Sequence, residues 1–158
     1  MKKKYLTTSQ EAFFPNLTRE SYHVTSSPTA EYNCIAHAVG NADRWWWPDD
    51  LAPHAHWPEG LAKAETLEAF VLAYETEGYL VCPDQNRGLE DGFEKVAIFV
   101  DVEGIPTHAC RQLSDGAWTS KLGESEDIQH QTLEDMEGGD GLSLGYGQVK
   151  IILKRSVS

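Results

Sequence analysis

The hydrophobic period of this chain changes at Lys95. Downstream, Val96, Ile98, Val100 and Val102 alternate with Ala97, Phe99 and Asp101, the period of two that belongs to a strand. Upstream, Leu67, Phe70, Val71 and Tyr74 keep helical spacing, with Thr66 to cap the helix and Gly78 to end it. After the switch the chain reverses through short turns. Glu103-Gly104 leads into a strand over Thr107–Leu113, and Asp115-Gly116 is a strong hairpin signal into a strand over Ala117–Leu122. A closing strand is expected over Gln148–Leu153. The acidic stretch Glu124–Glu137 reads as a short helix starting at Asp127, and the glycine-rich stretch Gly138–Gly147 as a connecting loop without phosphate-loop spacing. This order predicts an α+β domain, with N-terminal helices packed on an antiparallel sheet of about four to five strands.

The first half carries the unusual chemistry. Residues 1–30 are polar, broken by Pro15 and Pro28 and anchored by Phe13, Phe14 and Leu17, and read as an arm laid over a single domain spanning 31–158. In Glu31–Gly40, Asn33 can cap a helix that starts at Cys34 and stops at Gly40. A thiol at the positive end of a helix is expected to have a lowered pKa, which suits a nucleophile. The competing readings are a small buried core cysteine, or a helix begun at Ser27-Pro28 that leaves Cys34 mid-helix. The segment Arg44-Trp45-Trp46-Trp47-Pro48 to Pro53-His54-Ala55-His56-Trp57-Pro58 follows. Its prolines argue for a structured loop rather than a regular element. Its four indoles either line a binding wall or pack as a lid on the core.

Composition narrows the function classes. A formal net charge of −12 over 158 residues repels phosphate backbones, so nucleic acid is not an expected partner. No run approaches the ~18–20 apolar residues of a membrane span. The three basic residues after Met1 precede a polar rather than an apolar stretch, and three cysteines do not make a disulfide scaffold. The expected setting is cytoplasmic, or export by a specialised machine.

A cysteine nucleophile needs a base and a group to orient it. His108, at the start of a strand, is the candidate base; His37, on the same helix, would lie beside the sulfur rather than across from it. A two-residue turn at Asp115-Gly116 would place Thr119 and Lys121 on the face of His108 and begin Glu124–Asp127 beside it. A three-residue loop would bring Ser120 there instead. Asp127 is the first choice to orient His108, with Ser120 and His130 as alternatives. A zinc reading from Cys34, His37, His54 and His56 is the weaker use of these residues, and no cofactor is expected.

The strings Tyr32-Asn33-Cys34-Ile35-Ala36, Arg44-Trp45-Trp46-Trp47-Pro48, Thr107-His108-Ala109 and Trp118-Thr119-Ser120-Lys121-Leu122-Gly123, with Asp127-Ile128-Gln129-His130, resemble a family of small bacterial proteins of unknown function. More distantly, the Asn-Cys helix start and His-Ala strand are similar to NlpC-type and other papain-like peptidases and amidases. That resemblance implies a papain-like arrangement with Cys34 and His108 catalytic. The chain departs from it in having Pro28, not glutamine, six residues before the cysteine. The Cys34 amide, with Tyr32 nearby, could serve an oxyanion. The expectation is a cysteine hydrolase or acyl-transfer enzyme acting on a peptide or amide substrate. Cys34, His108 and Asp127 would be catalytic, and Tyr32, Trp45, Trp46, Trp47 and Trp57 would meet the substrate. The alternative is an acidic immunity- or inhibitor-like protein that binds a basic protein partner through the Trp-rich loop.

Overall fold

The computed structural model describes residues 5–42, 44–48, 55–122 and 124–157. In chain order the elements are α1 (Thr8–Phe13), β1 (Tyr22–Ser26), α2 (Cys34–Ala38), β2 (Trp45–Trp46), β3 (Ala55–His56), α3 (Leu67–Glu75), β4 (Leu80–Val81), β5 (Phe93–Val100), β6 (Pro106–Gln112), β7 (Trp118–Lys121), β8 (Asp127–His130), a 3-10 turn (Glu134–Met136) and β9 (Gln148–Ser156). The main sheet has seven strands in the order β1-β8-β7-β6-β5-β9-β4, and every pairing is antiparallel. It is thus a mixed α and β fold, with more strands than expected and few helices.

The period of two along β5 has a direct structural meaning. Val96 and Ile98 share one face with Ala109 and Leu153, and this face packs on α2 and α3. Ala97 and Phe99 share the other with Cys110, Trp118, Ile128 and Ile152, covered by Leu6, Phe14, Leu133 and Met136. Both faces are buried, which is why the strand reads as a near-continuous apolar run. β5 stops at Val100 because Asp101 folds the chain: its Oδ1 accepts the amides of Glu103 and Ile105 at 2.8 and 3.1 Å.

Three expectations are corrected. The stretch from Asp127 is strand β8, not a helix, and pairs with β7 and β1. Part of the N-terminal arm is β1, an edge strand of the sheet. The tryptophan segment is not wholly irregular, because β2 and β3 form a small parallel pair. Residues 49–54 of that segment, His54 among them, lie outside the described residues.

Beyond the short β4, side chains replace strand partners along β9. Gln85 accepts the Ile152 amide through Oε1 at 2.8 Å and donates from Nε2 to the Ile152 carbonyl at 2.9 Å. The Glu137 carboxylate accepts the Val149 amide at 3.0 Å.

Candidate functional site

The hairpin between β6 and β7 decides what faces what. Gly116 is left-handed (φ 93°) and Asp115 is not, so the loop is not the two-residue turn that needs two positive φ values. The pairs are Gln112 with Trp118 and Arg111 with Thr119, and Leu113 donates to the Ala117 carbonyl. This three-residue register puts Ser120, not Thr119 or Lys121, on the face of His108.

His108, Ser120 and His130 form a row across β6, β7 and β8. Ser120 Oγ lies 3.0 Å from His108 Nε2 and 2.7 Å from His130 Nε2, and His130 Nδ1 lies 2.8 Å from the Thr132 carbonyl. The carbonyl can only accept, so His130 carries its proton on Nδ1. Burial pushes His130 down to about 4, so at neutral pH its Nε2 is bare and accepts the Ser120 hydroxyl. Ser120 must then accept from His108 Nε2–H. Burial, reinforced by the neighbouring His130 and His37, holds His108 well below the usual histidine range. His108 Nδ1 is therefore a bare lone pair, and it is buried without a hydrogen-bond partner among the described residues. The ring of Tyr146 lies flat on His108, with centroids 4.0 Å apart and planes 5° from parallel.

Cys34 sits at the first position of α2, as the Asn33 cap predicts: Asn33 Oδ1 accepts the Ala36 amide at 3.1 Å. The expected lowering of the thiol does not follow. Burial raises Cys34 to about 11, outweighing the Ala109, Ile35 and Cys34 amides that favour its thiolate. α2 has five residues, so its dipole is weak against desolvation. The structure does not join Cys34 to His108 by a hydrogen bond. α2 packs on the Ala109 face of β6, whereas the His108 ring turns to Phe99 and Tyr146 on the opposite face. The link between them is the Ala109 amide, which directly follows His108 and faces the Cys34 sulfur.

Asp127 does not orient His108. It lies on the α2 side, where its Oδ2 accepts the Tyr32 hydroxyl at 2.6 Å and stands 3.9 Å from His37 Nδ1. His37 Nε2 is 2.9 Å from Thr119 Oγ1, and its ring stacks on Tyr32. His37 is lowered, first by burial.

The indoles pack on the body of the protein. Trp47 and Trp57 meet Phe70 edge-on at 5.4 and 5.3 Å, and Trp57 Nε1 donates to the Ala62 carbonyl. Trp46 is buried against His56, and Trp45 Nε1 donates to the Ala30 carbonyl. Among the described residues, Cys34, His37 and His56 do not gather as zinc ligands: His37 meets Thr119 and His56 meets Trp46, while His54 lies outside the described residues. Cys82, Asp84 and Glu90 do converge, yet Cys82 donates to Asp84, and Lys95 and Lys154 pair with Glu90.

The model of a family described as a domain of unknown function, DUF7689, matches residues 23–154. The chain belongs to that family. No curated protein and no solved structure matches it. The DUF7689 match takes in Cys34, His108, Ser120, His130 and Tyr146, and α1 precedes it. Tyr146 is the neighbour of His108 that the sequence did not point to. Its signal is the pair of glycines around it. A Cβ on Gly145 would stand 2.1 Å from the Gly138 carbonyl oxygen, and one on Gly147 2.0 Å from that of Val100. The loop is glycine-rich because it must press against the backbone to deliver that ring.

Proposed function

We propose that this protein is a cysteine-dependent hydrolase or acyl-transfer enzyme acting at an amide, with Cys34 as nucleophile and His108 as base through Nδ1. The carrying observation is the bare Nδ1 of His108, fixed by the Ser120–His130 chain; the sulfur meets the amide of the next residue, Ala109, on the other face of β6. In this reading Ser120 and His130 are the positioning residues, and the papain-like arrangement of the site belongs to the same proposal. The thiol and imidazole start neutral. Because the sulfur and the imidazole start on opposite faces of β6, the Cys34 proton reaches His108 Nδ1 only after α2 or β6 has shifted to bring the two to one side, and sulfur then attacks the carbonyl carbon. The C–N bond then breaks, and the departing amine takes that proton, leaving a thioester for water or an acceptor amine. The Ala109 and Ile35 amides favour negative charge on the sulfur itself.

The test is acylation by p-nitrophenyl acetate followed by peptide mass mapping. Cys34 should acquire an acetyl group faster than Cys82 and Cys110, and His108→Gln should slow it by roughly 10²–10⁴-fold, the usual contribution of a general base. Equal labelling of the three cysteines would overturn the assignment.

The second reading is an acidic binding protein without catalysis, acting on a basic partner. It draws on the burial of the pair, with Cys34 8 % and His108 0 % exposed. Partner binding that weakens steeply with salt and survives Cys34→Ser would favour it.

A further inference from the structure

We propose that the N-terminal arm, residues 5–17, is an inhibitory cover, held so that Phe13 and Phe14 lock Tyr146 over His108. The inference rests on the packing around Tyr146 and holds whichever residue attacks a substrate.

Tyr146 is the middle layer of a stack. Its inner face lies on His108 at 4.0 Å, and on its outer side stand Phe13 at 5.8 Å and Phe14 at 5.3 Å. Inside, the ring seals a base whose Nδ1 has no partner. Outside, a cavity of about 240 Å³ lined by Gln10, Phe13, Phe14, Leu122, Ser125 and Tyr146 already separates part of the arm from the sheet.

The arm is held in a way that permits release. α1 buries none of its own residues. It is anchored at its two ends by Leu6 and Phe14, which are buried. Among its polar ties to the rest of the domain, Gln10 Nε2 donates to Glu126 Oε1 at 3.0 Å, Asn16 Nδ2 to the Glu137 carbonyl at 2.7 Å, and Tyr22 of β1 accepts the Leu6 amide at 3.1 Å and donates to Glu11. The capping box of Thr7 and Gln10 holds α1 together, and Glu11 is bound by Arg19 and Tyr22. The arm can therefore swing with its capping box intact, releasing the Tyr22 hydroxyl of β1 but breaking no strand pairing of the sheet. Polar ties of this kind each contribute about 0.5–1.5 kcal/mol net, so the aromatic contact carries much of the closure.

The test uses two full-length variants. Phe13→Ala/Phe14→Ala removes the aromatic lock, and Gln10→Ala/Asn16→Ala cuts two of the tethers while leaving every buried aromatic in place. Cys110 lies on the His108 face of β6, two residues along, and Cys82 belongs to the same apolar cluster. The readout is the iodoacetamide modification rate of each, by mass spectrometry. The expected result is a rise of at least about tenfold at Cys110 with Cys82 unchanged, in either variant, consistent with local opening. No change at Cys110 in both variants, or only parallel rises at both cysteines as in global unfolding, overturns the proposal.

Discussion

Ser120→Ala tests the hydrogen-bond chain directly. The substitution removes one oxygen and leaves the side-chain volume almost unchanged, so it opens no cavity worth counting. It orphans two buried nitrogens, the His108 Nε2–H, which loses its 3.0 Å acceptor, and the bare His130 Nε2, which loses its 2.7 Å donor. Each unsatisfied buried group costs about 1–3 kcal/mol, so the fold should lose about 2–6 kcal/mol. That is a large share of the roughly 5–15 kcal/mol that holds a domain together. At this chain length it corresponds to a drop of about 5–15 °C in Tm. Urea unfolding followed by tryptophan fluorescence should show the midpoint falling with an unchanged m-value, because the surface exposed on unfolding is the same. A loss below about 0.5 kcal/mol would mean that the hydroxyl does not bridge the two rings, and the argument for a bare His108 Nδ1 would go with it.

Acid should act through the same pair. Both imidazoles are depressed by burial, so the unfolded chain binds protons that the folded one refuses. Their stabilising effect is complete above the unfolded histidine value of about 6.5 and declines as pH falls below it; His130 alone, at about 4 when folded, accounts for roughly 3 kcal/mol by the time its own value is passed. Stability measured between pH 7 and 4 should fall accordingly, and a flat profile would refute the burial of neutral rings. Phe70→Ala should cost about 3–5 kcal/mol, since Trp47 and Trp57 both rest on that ring; a change under about 1 kcal/mol in chemical denaturation would show that the indoles are held elsewhere.

What could be read from the sequence depended on how far the deciding contact lay along the chain. The helix from Leu67 and the strand from Lys95 carry their own period, and Asn33 sets the start of α2 within a few residues. β8 was misread because Asp127-Ile128-Gln129-His130 is four residues long and opens with an acid that could equally cap a helix. Only β7 and β1 make it a strand. The hairpin turned on one dihedral, the negative φ of Asp115 beside the left-handed Gly116, and that single difference exchanged Thr119 for Ser120 at His108. Likewise, a helix start foretells aligned dipoles at Cys34, whereas the desolvation that outweighs them comes from distant strands.

The amide side chain of Gln85 has a consequence beyond its own two bonds. By offering Ile152 both an acceptor and a donor, it imitates one residue of a neighbouring strand without leaving a chain end free to recruit another. An open sheet margin is where identical molecules zip together into aggregates. Here the site is occupied from within, by a group too short to serve as a template for the next copy.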